Sequence, residues 1–180
     1  MTLRPGAPGF KVDAYVEAHI EQGPRLENEK KTIGVVTAIQ GSRRYIVTVD
    51  GEEAHAGTTP RSARKDAFAA ATRIASAMYE VTTDADDTLR FTIGRVDVAP
   101  GSPNTVPGKA TFTIDMRHPS NDVLEAHEKM LEQIVARRAA PCPAHIERVT
   151  NVAPTDFDPV VIDLVRAKRS EEHTSELQSR

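Results

Sequence analysis

Residues 110–117 alternate without a slip. Ala110, Phe112, Ile114 and Met116 are apolar, and Thr111, Thr113, Asp115 and Arg117 stand between them. Side chains on a strand point to opposite faces in turn, so this run demands a sheet with one buried and one open face. The buried face needs a cover. Two segments offer one. Ala67, Ala70, Ala71, Ile74, Ala77 and Met78 recur at helical spacing, which predicts a helix over about 60–80, with Pro60 at its start and Thr59 as its N-cap. Val123, Leu124, His127, Met130, Leu131 and Ile134 form a second stripe, capped by Ser120 or Asn121. Arg137 and Arg138 in its last turn suit the helix dipole.

Other strands follow the same logic. Tyr45, Val47 and Val49 oppose Arg44 and Thr48, and Leu89, Phe91 and Ile93 oppose Arg90 and Thr92. His145–Thr150 reads as a last strand, and the apolar run within Thr32–Ile39 as an early one. Residues 1–12 and Pro100–Pro107 read as loops, and Asp158-Pro159 opens a short helix. From 43 to 150 the order is strand, helix, strand, strand, helix, strand. That predicts an α+β fold: a two-layer β-α-β-β-α-β sandwich, a four-stranded antiparallel sheet with both helices on one face. The open sheet face and the edge strands remain available for association.

Composition narrows function mainly by exclusion. The 180 residues carry a net charge of −3, with 39% hydrophobic and 27% charged residues. No basic surface recommends nucleic acid or an anionic membrane as partner. No stretch approaches the ~20 apolar residues of a membrane span. The single cysteine, Cys142 between Pro141 and Pro143, points to a reducing, cytoplasmic setting and away from a nucleophilic role.

Two histidine segments carry the chemical interest: Glu17-Ala18-His19-Ile20-Glu21-Gln22-Gly23-Pro24 and Ala54-His55-Ala56-Gly57-Thr58-Thr59-Pro60. Each sets an imidazole beside turn-forming residues, where it can face an open site. Taken singly, His55 and Asn104 are turn residues and Arg117 an exposed strand residue. His118, His127, His145 and His173 read as structural or surface residues. His19-Ile20-Glu21 also echoes the His-x-Glu of zinc deaminases, but that motif needs two later cysteines and the chain has one. Glu17 and Glu21 as a glycosidase pair find no support in spacing alone.

These segments occur in order with Gln40-Gly41-Ser42-Arg43-Arg44, Arg64 and Asp66, Asn104-Thr105-Val106-Pro107-Gly108 and Asp115-Met116-Arg117-His118-Pro119. With them, residues 13–168 resemble the metal-dependent N-carbamoyl-L-amino acid hydrolase, allantoate amidohydrolase and ureidopropionase family, within the aminoacylase and zinc-peptidase superfamily. The resemblance implies hydrolysis of a linear ureido or carbamoyl C–N bond in a substrate bearing a carboxylate. It implies that His19 is a metal ligand, with Gln22 beside it touching the substrate. It implies that His55 reaches across a homodimer to the scissile carbonyl, while Asn104 and Arg117 bind substrate and Arg117 grips the carboxylate. Two divalent metals per site, zinc or manganese, cobalt or nickel, are implied for the complete enzyme.

By the same resemblance residues 1–33 are the edge of a first catalytic segment, 34–150 the dimerisation and lid domain, and 151–169 the start of a returning catalytic segment. Residues 170–180 read as a non-native or disordered tail. The family's His-x-Asp motif, bridging aspartate, tandem glutamates and late histidine are not found here, and Arg61 stands where methionine is usual. The chain is therefore expected to be a fragment that neither holds the metals nor turns over substrate alone. The alternatives are a non-catalytic dimerisation or binding module, and a peptidase or aminoacylase of the same superfamily.

Overall fold

A computed structural model describes residues 12–83 and 87–170. In chain order the elements are a helical turn α1 (Arg25–Asn28), β1 (Ala38–Ile39), β2 (Gly41–Asp50), β3 (Ala54–His55), a 3₁₀ turn (Arg61–Ala63), α2 (Ala67–Thr83), β4 (Arg90–Ala99), β5 (Thr105–Val106), β6 (Lys109–His118), α3 (Asn121–Arg138), β7 (Ala144–Val152), β8 (Thr155–Asp156) and α4 (Pro159–Ser170). Ala38–Asp156 form one compact unit. A second unit comprises the described residues up to Thr37 and from Phe157 onward, and contains α1 and α4.

In the first unit β4, β6, β2 and β7 lie side by side in that order, each neighbouring pair antiparallel. The period-two run becomes β6, one of the two central strands, and its apolar side is buried as expected: Phe112, Ile114 and Met116 face the core. Tyr45, Val47 and Val49 of β2 join them. The cover is α2, through Ala70, Ala71, Ile74 and Met78, and α3, through Leu124, Leu131 and Val135. Alanines on α2 let its backbone lie close to the sheet, and each fully buried large side chain contributes about 1.5–3 kcal/mol. The α+β two-layer arrangement is the one the alternation demanded.

One charged side chain breaks the apolar pattern. Arg43 alternates inward with Tyr45 and Val47, and is only 3% exposed. Its guanidinium donates to Glu128 Oε2 at 2.5 Å and Asn121 Oδ1 at 3.0 Å on α3, and Arg148 of β7 donates to Glu128 Oε1 at 2.8 Å. The network ties α3 to β2 and β7. Burial, together with the Glu128 charge, pushes the Tyr45 phenol up to about 12, so it is neutral at physiological pH.

Three expectations need correction. The α2 helix starts at Ala67 and not near Pro60; Pro60 opens the short 3₁₀ turn, and Asp66 is the residue whose carboxylate accepts from Ala69 N at 2.9 Å. The strand expected over Thr32–Ile39 shrinks to β1, because Val35 is buried while Ile33, Val36 and Ile39 are exposed and no single face is apolar. The loop expected over Pro100–Pro107 contains β5, which pairs with β3 in a two-stranded ribbon. The helix predicted at Asp158-Pro159 is present as α4, with Asp158 Oδ1 accepting from Val160 N at 2.8 Å. The loop over 1–12 lies outside the described residues except at Val12, and the tail at 170–180 except at Ser170.

Candidate active site

Close packing of two glycines sets the position of His55. At the end of β2, Gly51 N donates to Gly108 O at 2.7 Å, and Glu52 N donates to Lys65 O at 2.8 Å. A Cβ on Gly51 would run into the Lys65 carbonyl oxygen, and one on Gly108 would lie 2.7 Å from Glu53 Cγ. Only glycine lets the β2–β3 and β5–β6 connections approach this closely. The chain then enters the ribbon, where Ala54 faces Val106 and His55 faces Thr105. Ala56 N donates to Asn104 O at 2.9 Å. The ribbon thus brings His55 and Asn104, forty-nine positions apart in sequence, to one end of the sheet.

Both residues are exposed. Gly57 N donates to His55 Nδ1 at 3.1 Å, so that nitrogen is the acceptor and the neutral ring carries its proton on Nε2. The Asn104 Oδ1 accepts from Ser102 Oγ at 2.7 Å. His55 therefore presents a donor to whatever approaches the ribbon.

Arg117 is elsewhere. It lies on the open sheet face near the far end of β6, opposite Ser42 of β2 and Arg90 of β4. Its Nε and Nη2 donate to both oxygens of Asp115 at 3.0 Å, and Arg44 Nε donates to Asp115 Oδ2 at 2.9 Å. The Arg117 hydrogen bonds, then those of Arg44, hold the Asp115 carboxyl below its ordinary range despite partial burial. Two guanidiniums around one carboxylate leave a net positive recess, lined also by Gln40, Ser42 and Thr150. An anion is the ligand such a recess suits. Lys109, at the ribbon end of β6, and Arg117 are eight residues apart, which is about 27 Å of strand.

His19 and Gln22 belong to the second unit. His19 is exposed, and its Nδ1 donates to Ile20 O at 2.6 Å. Gln22 has φ of 55°, in the left-handed region. Glu21 between them caps α1, accepting from Arg25 N at 3.0 Å and Leu26 N at 2.9 Å. Among the described residues, no three His, Cys, Asp or Glu side chains gather where they could hold a metal ion, so these residues do not by themselves fit the metal site that the resemblance implies.

The remaining candidates behave as packing. His127 is buried and donates from Nδ1 to Val123 O at 2.8 Å, and the His118 ring accepts from Ser120 N at 2.9 Å. Cys142 is buried, which pushes its thiol up and suppresses the nucleophilic thiolate. Sequence reasoning placed Arg44, Asp115 and Arg117 on one face but did not group them. The i, i+2 pairing of Asp115 and Arg117 on the polar side of one strand was the available signal.

A four-stranded antiparallel sheet with two helices on one face, its edge strands β4 and β7 carrying no further strand among the described residues, is a two-layer α+β module with the candidate residues His55 and Asn104 at one end and Arg117 at the other. The chain belongs to the family of peptidase dimerisation domains, whose model matches residues 37–141. It is 47% identical to the allantoate amidohydrolase of Escherichia coli over 128 residues, 71% of this chain and 31% of that protein. It is 38% identical to the N-carbamoyl-L-amino-acid amidohydrolase of Paenarthrobacter aurescens over 159 residues, 87% of this chain and 39% of that protein. The crystal structure of a hydantoinase/carbamoylase family amidase from Burkholderia vietnamiensis is similar with a TM-score of 0.85 and 41% identity, over 88% of this chain and 39% of that one. The chain thus spans 31–39% of the length of these proteins. No described helix is long and apolar enough to cross a membrane.

Proposed function

We propose that Ala38–Asp156 is the dimerisation and lid module of a metal-dependent amidohydrolase that hydrolyses a linear ureido or carbamoyl C–N bond in a carboxylate-bearing substrate. The observation that carries the reading is the separation of His55 and Asn104 from Arg117 along the length of β6. One small substrate cannot touch both ends of a strand. It can touch both if one end comes from each subunit of a dimer, so His55 and Asn104 act in the partner's site and Arg117 in its own.

The roles follow from the side chains. His55 Nε2–H donates to the scissile carbonyl oxygen, where charge develops. Asn104 adds an amide contact beside it. Arg117, aligned by Asp115, pairs with the substrate carboxylate through its free edge. Gln22 would contact substrate next to His19, whose imidazole would be one ligand of a divalent metal, and such a metal would supply an activated water and a Lewis acid. The buried single cysteine fits a cytoplasmic protein.

Substrate class is tested by grafting Ala38–Asp156 in place of the matching segment of the Escherichia coli allantoate amidohydrolase. The graft is assayed on allantoate, N-carbamoyl amino acids and dipeptides. Turnover of the ureido substrates above dipeptides is expected; a preference for dipeptides would overturn the assignment in favour of a peptidase.

Self-association is tested on the 180-residue chain itself. Both edges carry exposed apolar groups, Val96 on β4 and Val149 on β7, and neither pairs with a further strand among the described residues; such edges recruit other strands. Sedimentation at micromolar concentration is expected to give a dimer, and one of Val96→Arg or Val149→Arg is expected to dissociate it. A monomer in the unmodified chain contradicts the reading.

A further inference from the structure

The Ala56–Thr59 turn, which carries His55, is closed on one side by the backbone: Thr58 N and Thr59 N approach His55 O at 3.4 and 3.1 Å. On the other side, beyond the Asn104 carbonyl that accepts from Ala56 N, a single side chain closes it. Arg64 Nε donates to Thr59 O at 2.9 Å and Nη2 donates to Ala56 O at 2.6 Å. Arg64 is partly buried and extended, at φ −82° and ψ 138°, in the short link between the 3₁₀ turn and α2. Among the described residues its guanidinium pairs with no carboxylate. A cation that is withdrawn from water and given only carbonyls is unusual, because charge-assisted hydrogen bonds to carboxylate are the stronger choice. What it gains is geometry. The rigid fork spans two carbonyls at the two ends of the turn, which a lysine ammonium cannot do with one flexible point charge.

The turn held in this way includes the Gly57 amide, and Gly57 N–H is the group seated against His55 Nδ1. We propose that Arg64 is a positioning residue for His55: by clamping Ala56 O and Thr59 O it holds Gly57 N–H on Nδ1, so the exposed imidazole is fixed in orientation and offers Nε2–H outward. The fork sets the turn, the turn sets the amide, and the amide sets the ring. The assignment deepens the hydrolase reading, since the use of Nε2–H on a substrate carbonyl rests on that reading; the clamp itself does not.

The test reads the clamp on the full chain without any turnover. Labelled with ¹⁵N and held above the usual histidine pKa of ~6.5, the unmodified chain is expected to show His55 Nδ1 as a hydrogen-bonded acceptor and a protected Gly57 amide. Arg64→Ala is expected to speed Gly57 amide exchange about tenfold and to move the Nδ1 resonance toward that of a free imidazole. The amides of Phe112 and Ile114 in the core are expected to keep their protection. Arg64→Lys is expected to change the same two signals in the same direction by less. Unchanged Gly57 and Nδ1 signals in Arg64→Ala would overturn the proposal. Equal loss of protection in the core and the turn, in both variants, would overturn it as well by making Arg64 a residue of the fold at large. Failure of the grafted enzyme on ureido substrates with the clamp signals intact would count against the hydrolase reading alone.

Discussion

Glu128→Ala is expected to lower the unfolding free energy of the chain by about 3–5 kcal/mol. The glutamate is the common acceptor for Arg43 and Arg148, at 2.5 and 2.8 Å. Removing it leaves the Arg43 guanidinium, whose side chain is 4% exposed, with Asn121 and the more distant Glu125 at 3.6 Å. With only the longer Glu125 contact left to compensate the charge, most of the desolvation cost of Arg43 is no longer offset. The loss is a large share of the ~5–15 kcal/mol that holds a typical domain together. The double variant Arg43→Met with Glu128→Leu removes the charge along with its partner, and is expected to recover most of the stability. Urea denaturation of the three proteins checks this. A loss below about 1 kcal/mol for Glu128→Ala, the range of an exposed pair, would show that Arg43 is solvated.

The second large effect is catalytic. In the grafted enzyme His55→Ala is expected to cut kcat by about 10²–10³, the usual cost of removing one donor to a developing oxyanion. Arg117→Ala is expected to act mainly on KM, raising it by about 10- to 100-fold for carboxylate-bearing substrates, since a charge-assisted hydrogen bond is worth about 1.5–3 kcal/mol. Substrates lacking the carboxylate should not discriminate the Arg117 variant from the parent. An unchanged kcat/KM in either variant removes that residue from the site.

The parts of this fold that were legible in the sequence are those with a long period. Ten-residue strands and seventeen- or eighteen-residue helices repeat their pattern often enough to fix the buried face. The β3–β5 ribbon is two residues on each side, too short for any period, and it depends on the Gly51–Gly108 approach between segments far apart in sequence. That ribbon is what joins His55 to Asn104, so the pairing of two candidate residues was hidden. Arg43 was hidden for another reason. Its parity with Tyr45, Val47 and Val49 puts it inside, while its charge argues for outside. Only the partner on α3, eighty-five positions away, resolves the conflict. Arg64 similarly acts through backbone carbonyls, which carry no sequence identity. The roles proposed for His19, His55 and Arg117 rest on motif resemblance rather than on spacing.

The central claim is that one site draws His55 from one subunit and Arg117 from the other, and mixing subunits tests it most directly. His55→Ala and Arg117→Ala versions of the grafted enzyme, each close to inactive at limiting substrate, are co-expressed in equal amounts. A two-fold dimer formed at random is heterodimeric half the time, and its two sites differ: one carries both lesions and the other carries neither. Activity should therefore return to about a quarter of that of the unmutated graft. If His55 and Arg117 serve the same site from the same subunit, every site keeps a lesion, and activity staying at the level of the two separate variants would contradict the account.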